Sequence, residues 1–248
     1  MNLTLLGFGK MGRIISSLAL PTHKIVSIID PTAPEATHKT VTAEALQNTD
    51  VVIDFSHPSA VLSNVGLVAQ LKKNIVMGTT GWYDQLSAVR QMTEAAGIGF
   101  LYSSNFSIGV QLFLKIVERA GGLFSAFDQY DVFAHEFHHR QKADSPSGTA
   151  LSVGKALLKT MPRKKEIFAD TSHEKIAAER LHLTSTRGGY IPGTHEVFFD
   201  SEADTVEIRH TARSRAGFAA GALKAAQWLH GKRGFFTMED YLNDLLKL

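Results

Sequence analysis

A glycine-rich turn set between an apolar run and an amphipathic helix constrains the fold of this chain more than any other feature. Gly7-Phe8-Gly9-Lys10-Met11-Gly12 follows the apolar run 3–6 and opens a helical apolar face through Ile14, Ile15 and Leu18. In that context G-x-G-x-x-G is a dinucleotide-binding fingerprint. The first glycine allows a tight turn, the second lets backbone approach a pyrophosphate, and the third lets helix and strand pack closely. Asp30 ends a second strand-like run, 25–29, where an acid can bind the ribose hydroxyls. The alternation continues: 51–53, 75–77 and 98–102 read as strands, 58–71 and 82–96 as helices. This predicts an α/β fold with a parallel sheet, helices on both faces, doubly wound through right-handed crossovers.

The pattern changes further on. A helix at 109–120 leads to a strand near 130–136, then a Pro-Ser-Gly-Thr turn and another helix, then a basic, proline-broken stretch at 161–165. Runs 181–186, 195–199 and 205–211 read as consecutive strands, which predicts a mixed or antiparallel sheet in a second, α+β domain. The Ala-rich helix 216–229 is expected to return to the first domain. The expected division is 1–108 with 216–248 for the dinucleotide, and 109–215 for substrate and subunit assembly.

Composition narrows the function. The chain has 248 residues, 44% of them hydrophobic, and a formal net charge of +2, which gives no reason to invoke nucleic acid or a membrane surface. With no cysteine, thiolate zinc sites, disulfides and cysteine nucleophiles are excluded; eleven histidines keep a histidine metal site open. The apolar start is too short for a signal-peptide core, and no run is long enough to span a membrane, so a cytoplasmic location is expected.

The chemistry concentrates between Glu136 and Ala150. His138, His139 and Lys142 lie just before Pro146-Ser147-Gly148-Thr149. Ser147 is a good N-cap, which leaves the backbone N–H groups of Gly148 and Thr149 at a helix end that attracts anions. Cationic and proton-donating side chains beside such an end suggest a small, negatively charged substrate. His135-Glu136-Phe137-His138-His139 also matches the zinc-protease pattern H-E-x-x-H, which works only on a helix. On the strand expected here, His135 and His139 lie about 13 Å apart, too far to share one ion, so no metal site is expected. Gly78-Thr79-Thr80-Gly81 and Asn105-Phe106-Ser107 end further strands at the sheet edge where open α/β folds bind ligands.

The stretch Glu136–Ala150 fills every specified position of the signature E-x-H-H-x-x-K-x-D-x-P-S-G-T-A, and so resembles the 4-hydroxy-tetrahydrodipicolinate (dihydrodipicolinate) reductase family of lysine and diaminopimelate biosynthesis. Asp54-Phe55-Ser56, Gly78–Gly81, Asn105–Gly109, Arg187-Gly188-Gly189, Gly193–Glu196 and the 210–218 segment follow in family order. The resemblance implies an oxidoreductase with an N-terminal Rossmann domain for NADH or NADPH and a central domain that binds a small dicarboxylate and forms a homotetramer. It implies His138 as general acid with Lys142 as the partner proton donor, and His139, Lys142, Gly148 and Thr149 as carboxylate ligands. Cofactor contacts fall to Gly7, Phe8, Gly9, Lys10, Met11, Gly12, Asp30, Gly78, Thr79, Thr80, Ser103, Asn105, Phe106, Arg215 and Phe218.

Two departures bear on the cofactor. Pro31 follows Asp30 where many relatives carry a basic residue for the NADPH phosphate, and Lys10 stands where many have arginine. The first, with the short segment 30–42, leans the expectation toward NADH, whereas Lys10 can still meet the phosphate. Rival readings are another Rossmann-fold imine dehydrogenase, acting for instance on iminoaspartate, and a non-catalytic NADH sensor. The His-His-x-x-Lys segment argues against the first. The want of a recognisable DNA-reading helix-turn-helix argues against the second.

Overall fold

The computed structural model describes residues 1–20 and 22–247, which form two compact units, Met1–Ser107 with the chain from Arg215 onward, and Ile108–Ser214. The first unit opens with β1 (Asn2–Leu6), α1 (Lys10–Ala19), β2 (Lys24–Ile29), β3 (Val51–Asp54), α2 (Val61–Gln70), β4 (Asn74–Met77), α3 (Leu86–Ala96) and β5 (Gly99–Tyr102). The second holds α4 (Ile108–Phe124), β6 (Asp131–His138), α5 (Gly148–Thr160), β7 (Glu166–Phe168), β8 (Arg180–Arg187), β9 (Thr194–Asp200) and β10 (Thr205–Thr211). The chain then rejoins the first unit through α6 (Ala216–Leu229), β11 (Gly234–Thr237) and α7 (Met238–Leu246).

The first unit is built on an all-parallel sheet in the order β11-β5-β4-β3-β1-β2. The strand order reverses beside β1, and in open α/β sheets ligands bind at the carboxyl ends of the strands flanking such a point. Short, continuously apolar strands form here because both sheet faces are covered; Val51, Val52, Ile75, Val76, Phe100 and Leu101 are all buried. The second unit carries a mixed sheet, β10-β9-β6-β8-β7, with β8 parallel and β9 antiparallel to β6. Leu157, Leu181, Leu183, Val197 and Phe199 fill its core with α4 and α5. Each such side chain contributes about 1.5–3 kcal/mol of burial free energy.

Several elements differ from the sequence expectation. The helix expected from residue 58 starts as a 3-10 turn, Pro58–Ala60, before α2. The one expected from residue 82 starts at Tyr83–Gln85, because the Trp82 ring is fully buried and its Nε1–H donates to the Thr79 carbonyl at 2.7 Å. Helix α4 runs on past its glycines, since the missing side chain of Gly121 admits Thr160 of α5; a Cβ there would come 2.3 Å from that hydroxyl. Strands β7 and β11 and helix α7 were not anticipated. The strands span only three and four residues, too few for a periodic pattern, and depend on pairing with β8 and β5. Helix α7 is announced by a capping box, Thr237 with Asp240, that the sequence does contain.

Candidate active site

The glycine turn has the geometry its sequence calls for. Gly7 adopts φ +89°, and a Cβ there would strike the Phe55 carbonyl at 2.4 Å, whereas a Cβ on Gly12 would strike the Gly7 carbonyl at 2.4 Å. Around Gly9, by contrast, there is open space. Helix α1 starts directly behind it with Gly9 as an N-cap that offers no side-chain acceptor, and with no acid in the first turn. An uncapped helix end with room above it fits a pyrophosphate. Lys10 is exposed at its rim and Met11 half-buried. Asp30 pins this turn from β2: Oδ2 accepts the Phe8 N–H (2.7 Å), and Oδ1 accepts the Thr32 and Ala33 N–H groups (both 2.8 Å). Burial opposes its ionisation, but these bonds outweigh burial and lower its pKa to about 2. The carboxylate expected to serve the ribose is thus also a clamp on the loop.

The neighbouring turns are tied from within. Buried Asp54, whose pKa burial raises, accepts the Ser56 N–H (2.8 Å) and the Thr79 hydroxyl (2.9 Å). Gly78 leaves room for the Phe55 ring. Thr80 is exposed at the tip. After β5, the Ser103 hydroxyl donates to the Asn105 carbonyl (2.8 Å), Asn105 Oδ1 accepts the Ser107 N–H (2.9 Å), and Phe106 is buried with its ring 6.0 Å from that of Phe55. Among the residues expected at the cofactor, the side chains of Phe8, Thr79 and Phe106 therefore belong to the interior, and their backbone is what lies at the sheet edge. Arg215 is exposed at the start of α6, and its carbonyl accepts the Phe218 N–H at 3.1 Å.

In the second unit, β6 alternates, turning Val132, Ala134, Glu136 and His138 to the buried face and Phe133, His135 and Phe137 to the other. Register sets Glu136 opposite His195 of β9 and Ser185 of β8, and His138 opposite Arg187. Glu136 is fully buried. Its Oε1 accepts bonds from the Ser147 N–H, the Ser185 hydroxyl and Arg187 Nη2, each at 2.8 Å. Its Oε2 accepts the Ser147 hydroxyl and faces His138 Nδ1 at 3.3 Å and His195 Nε2 at 3.4 Å. Ser147 also caps α5, accepting the Ala150 N–H at 3.2 Å. One carboxylate thereby joins two strands and a helix end beside β6. The space around Gly148 is open, so that end is approachable. Thr149 is half-buried in the first turn.

The segment between His138 and Ser147 is held by its own contacts. The His139 N–H donates to the Ile191 carbonyl (2.8 Å), Lys142 Nζ to Asp144 Oδ1 (2.7 Å), and Arg187 Nη2 to the Asp144 carbonyl (2.6 Å). Gly193 lets the His138 ring sit against the chain, since a Cβ there would come 2.9 Å from Nε2. Burial opposes ionisation of Glu136, yet bonds from His195, Ser147 and Arg187 hold its carboxyl well below the usual range. Burial lowers His138 to about 4, the charges of His195, Lys142 and Arg187 adding to it and Glu136 opposing. In this state the imidazole is neutral at pH 7.

The zinc pattern does not assemble. His135 lies on a strand with its ring nitrogens on the Thr184 and Thr186 hydroxyls of β8. Among the described residues one group of ligand type does converge, Glu136, His138 and His195, with ligand atoms within 4.8 Å of one another. Arg187 and Ser147 already occupy its carboxylate, so a cation entering there has to break those bonds and sit beside a guanidinium. The sequence reading missed Glu136, Ser185, Arg187 and His195 as parts of the site. Glu136 was open to discovery, since it lies two residues before His138 on the same strand face. The others enter only through register.

Both parts of the chain match known proteins. A profile described as dihydrodipicolinate reductase, N-terminus, matches residues 1–106, and one described as dihydrodipicolinate reductase, C-terminus, matches 109–242. A 4-hydroxy-tetrahydrodipicolinate reductase of Christiangramia forsetii is 38% identical over 248 residues, covering 100% of both chains. The dipicolinate-bound dihydrodipicolinate reductase of Paenisporosarcina sp. TG-14 superimposes with a TM-score of 0.78 at 23% identity, covering 97% of this chain and 98% of that one. The fold alone is shared more widely. A scyllo-inositol dehydrogenase of Lactobacillus casei, solved with NAD(H) and scyllo-inositol, gives a TM-score of 0.53 at 10% identity over 98% of this chain and 89% of its own. With both profiles matched in order and a full-length relative at this identity, the chain belongs to the dihydrodipicolinate reductase family of oxidoreductases.

Proposed function

We propose that the second unit binds 4-hydroxy-tetrahydrodipicolinate and that NADH held on the glycine turn of the first unit reduces it. The balance is substrate, NAD(P)H and one proton in; tetrahydrodipicolinate, NAD(P)⁺ and one water out. The observation that carries this reading is the Glu136 cluster beneath the α5 N-terminus, flanked by Lys142. A carboxylate of the substrate accepts from the backbone of Gly148 and Thr149 at the helix end, and Lys142 and His139 receive the other charge. Held on the glycine turn, a nicotinamide would supply the hydride, and the residues around the substrate ring then have to protonate the negative charge left on it.

His138 is neutral before binding, so its capacity as an acid depends on the ligand. Two incoming carboxylates raise its pKa by direct Coulomb interaction, and the ring takes up the proton that it then delivers. Glu136 keeps the surrounding cations compensated and faces Nδ1, which leaves Nε2 as the working nitrogen. Lys142, released from Asp144, is the second donor.

NADH is the preferred cofactor on the strength of Asp30 and Pro31. A homotetramer is supported by the sheet face opposite the helices, where Phe133, 38% exposed, stacks on Phe198 with centroids 4.8 Å apart. A cytoplasmic location accords with a biosynthetic role; among the described residues no helix is long and apolar enough to cross a membrane. The test is loss of NADH absorbance with substrate generated enzymatically. Oxidation of NADH is expected, and its absence with fully folded protein removes the reading.

A further inference from the structure

One charged pair near the nucleotide end of the first unit is unused by this reading. Arg13, on the first turn of α1, closes a two-pronged pair with Glu35: Nη1 binds Oε1, and Nη2 lies 2.9 Å from Oε2. Its guanidinium lies 5.0 Å from the centroid of the Phe8 ring, whose own N–H is the one held by Asp30. The chain after β2 folds back to bring Glu35 here, with Thr37 and His38 N–H groups bonded to the Ile28 carbonyl at 2.9 and 3.1 Å. Both partners are about half exposed, at 48% and 45%. The other charges of this corner are Asp30, Lys10 and Lys39, the last donating to the Ala33 carbonyl at 3.2 Å. No arginine lies in the segment 31–42 directly after Asp30, but the fold supplies one from α1.

We propose that Glu35 determines cofactor choice by occupying the guanidinium fork of Arg13, so that the chain carries a receptor for a ribose 2′-phosphate but withholds it. The proposal rests on the nucleotide-binding reading of the glycine turn. Arginine holds phosphate through two parallel N–H donors, and those are the donors Glu35 takes. An exposed pair is weak enough for a phosphate to open. Opening it leaves the Glu35 and Asp30 carboxylates beside a group that itself carries close to two negative charges. The repulsion cancels the gain, and NADH has no phosphate to be repelled. Removing the charge of Glu35 alone frees the fork and deletes one repulsive partner. Because both side chains are exposed and outside the core, the fold is not at stake.

The test is calorimetric titration with adenosine 2′,5′-bisphosphate, together with NADH and NADPH binding followed by nicotinamide fluorescence. Wild type, Glu35→Gln and the double variant Glu35→Gln/Arg13→Ala are compared. The single variant is expected to bind adenosine 2′,5′-bisphosphate and NADPH roughly tenfold more tightly with NADH affinity unchanged, and the double variant to lose that gain. An unchanged NADPH to NADH ratio in Glu35→Gln, or a gain that survives removal of Arg13, overturns the proposal while leaving the nucleotide site intact. Failure of wild type to bind NADH at all overturns the nucleotide reading and this proposal with it.

Discussion

Replacing Glu136 by Gln isolates what one buried charge does for the second unit. Gln keeps a single acceptor oxygen, so three donors at Oε1, from Ser147, Ser185 and Arg187, and the Ser147 hydroxyl at Oε2 cannot all be satisfied. Arg187, its side chain only 17% exposed, also loses its counter-charge. Breaking a buried pair by removing one partner costs about 3–5 kcal/mol; because Gln retains one dipole, the loss expected is about 3 kcal/mol. For a chain of this size that corresponds to a fall of roughly 6–12 °C in melting temperature. The pH dependence gives a second reading. Glu136 has a folded pKa depressed below its ordinary 4.5, so its stabilisation is present above that value and is lost as pH falls below it. His138 has a folded pKa of about 4 against an ordinary 6.5, so its contribution also declines as pH falls from 6.5 toward 4. Urea unfolding of both proteins between pH 8 and 3 checks this. The variant should be less stable at neutral pH and should lack the part of the acid loss that lies below pH 4.5. A melting temperature within about 2 °C of wild type, or an unchanged acid slope, refutes the view that Glu136 is an ionised hub.

Other outcomes follow from the same geometry. His138→Gln and Lys142→Ala should each lower turnover by roughly 10²–10⁴-fold with NADH affinity unchanged by fluorescence titration, since both lie in the second unit. Dicarboxylate binding should take up a proton near pH 6 and tighten as pH falls from 8 to 6; dipicolinate titrated calorimetrically in two buffers of different ionisation enthalpy measures this, and no buffer dependence would count against His138 as the ligand-charged acid. Chelator treatment should leave turnover unchanged, because His135 lies on a strand with its ring on the hydroxyls of β8, and Arg187 already occupies the Glu136 carboxylate. Asp30→Ser should weaken NADH more than NADPH in fluorescence titrations, because it releases the Phe8, Thr32 and Ala33 amides and removes a ribose acceptor, while the loss of a charge that repels the 2′-phosphate offsets part of that cost for NADPH alone.

Local pattern determined much of this protein. Apolar runs of strand length between amphipathic helices specified a parallel α/β sheet. The glycine spacing specified a turn in which Gly7 takes positive φ, Gly12 packs on its carbonyl and Gly9 leaves space. Ser147 was legible as a helix cap, and the signature around His138 and Lys142 carried the family. All of these depend on residues a few positions apart, where propensity and steric fit act without help from the rest of the chain. Only the tertiary structure decided what surrounds them. Glu136 meets Ser185, Arg187 and His195 because β6 pairs with β8 and β9, and that register is fixed by burying Val132, Ala134, Leu183 and Val197 on one face rather than by any local preference. Asp30 became a clamp on the glycine turn, and Arg13 met Glu35, because the chain after β2 folds back against α1. Charges scattered along the sequence acquire partners, and His138 its lowered pKa, only when packing removes water and sets their distances.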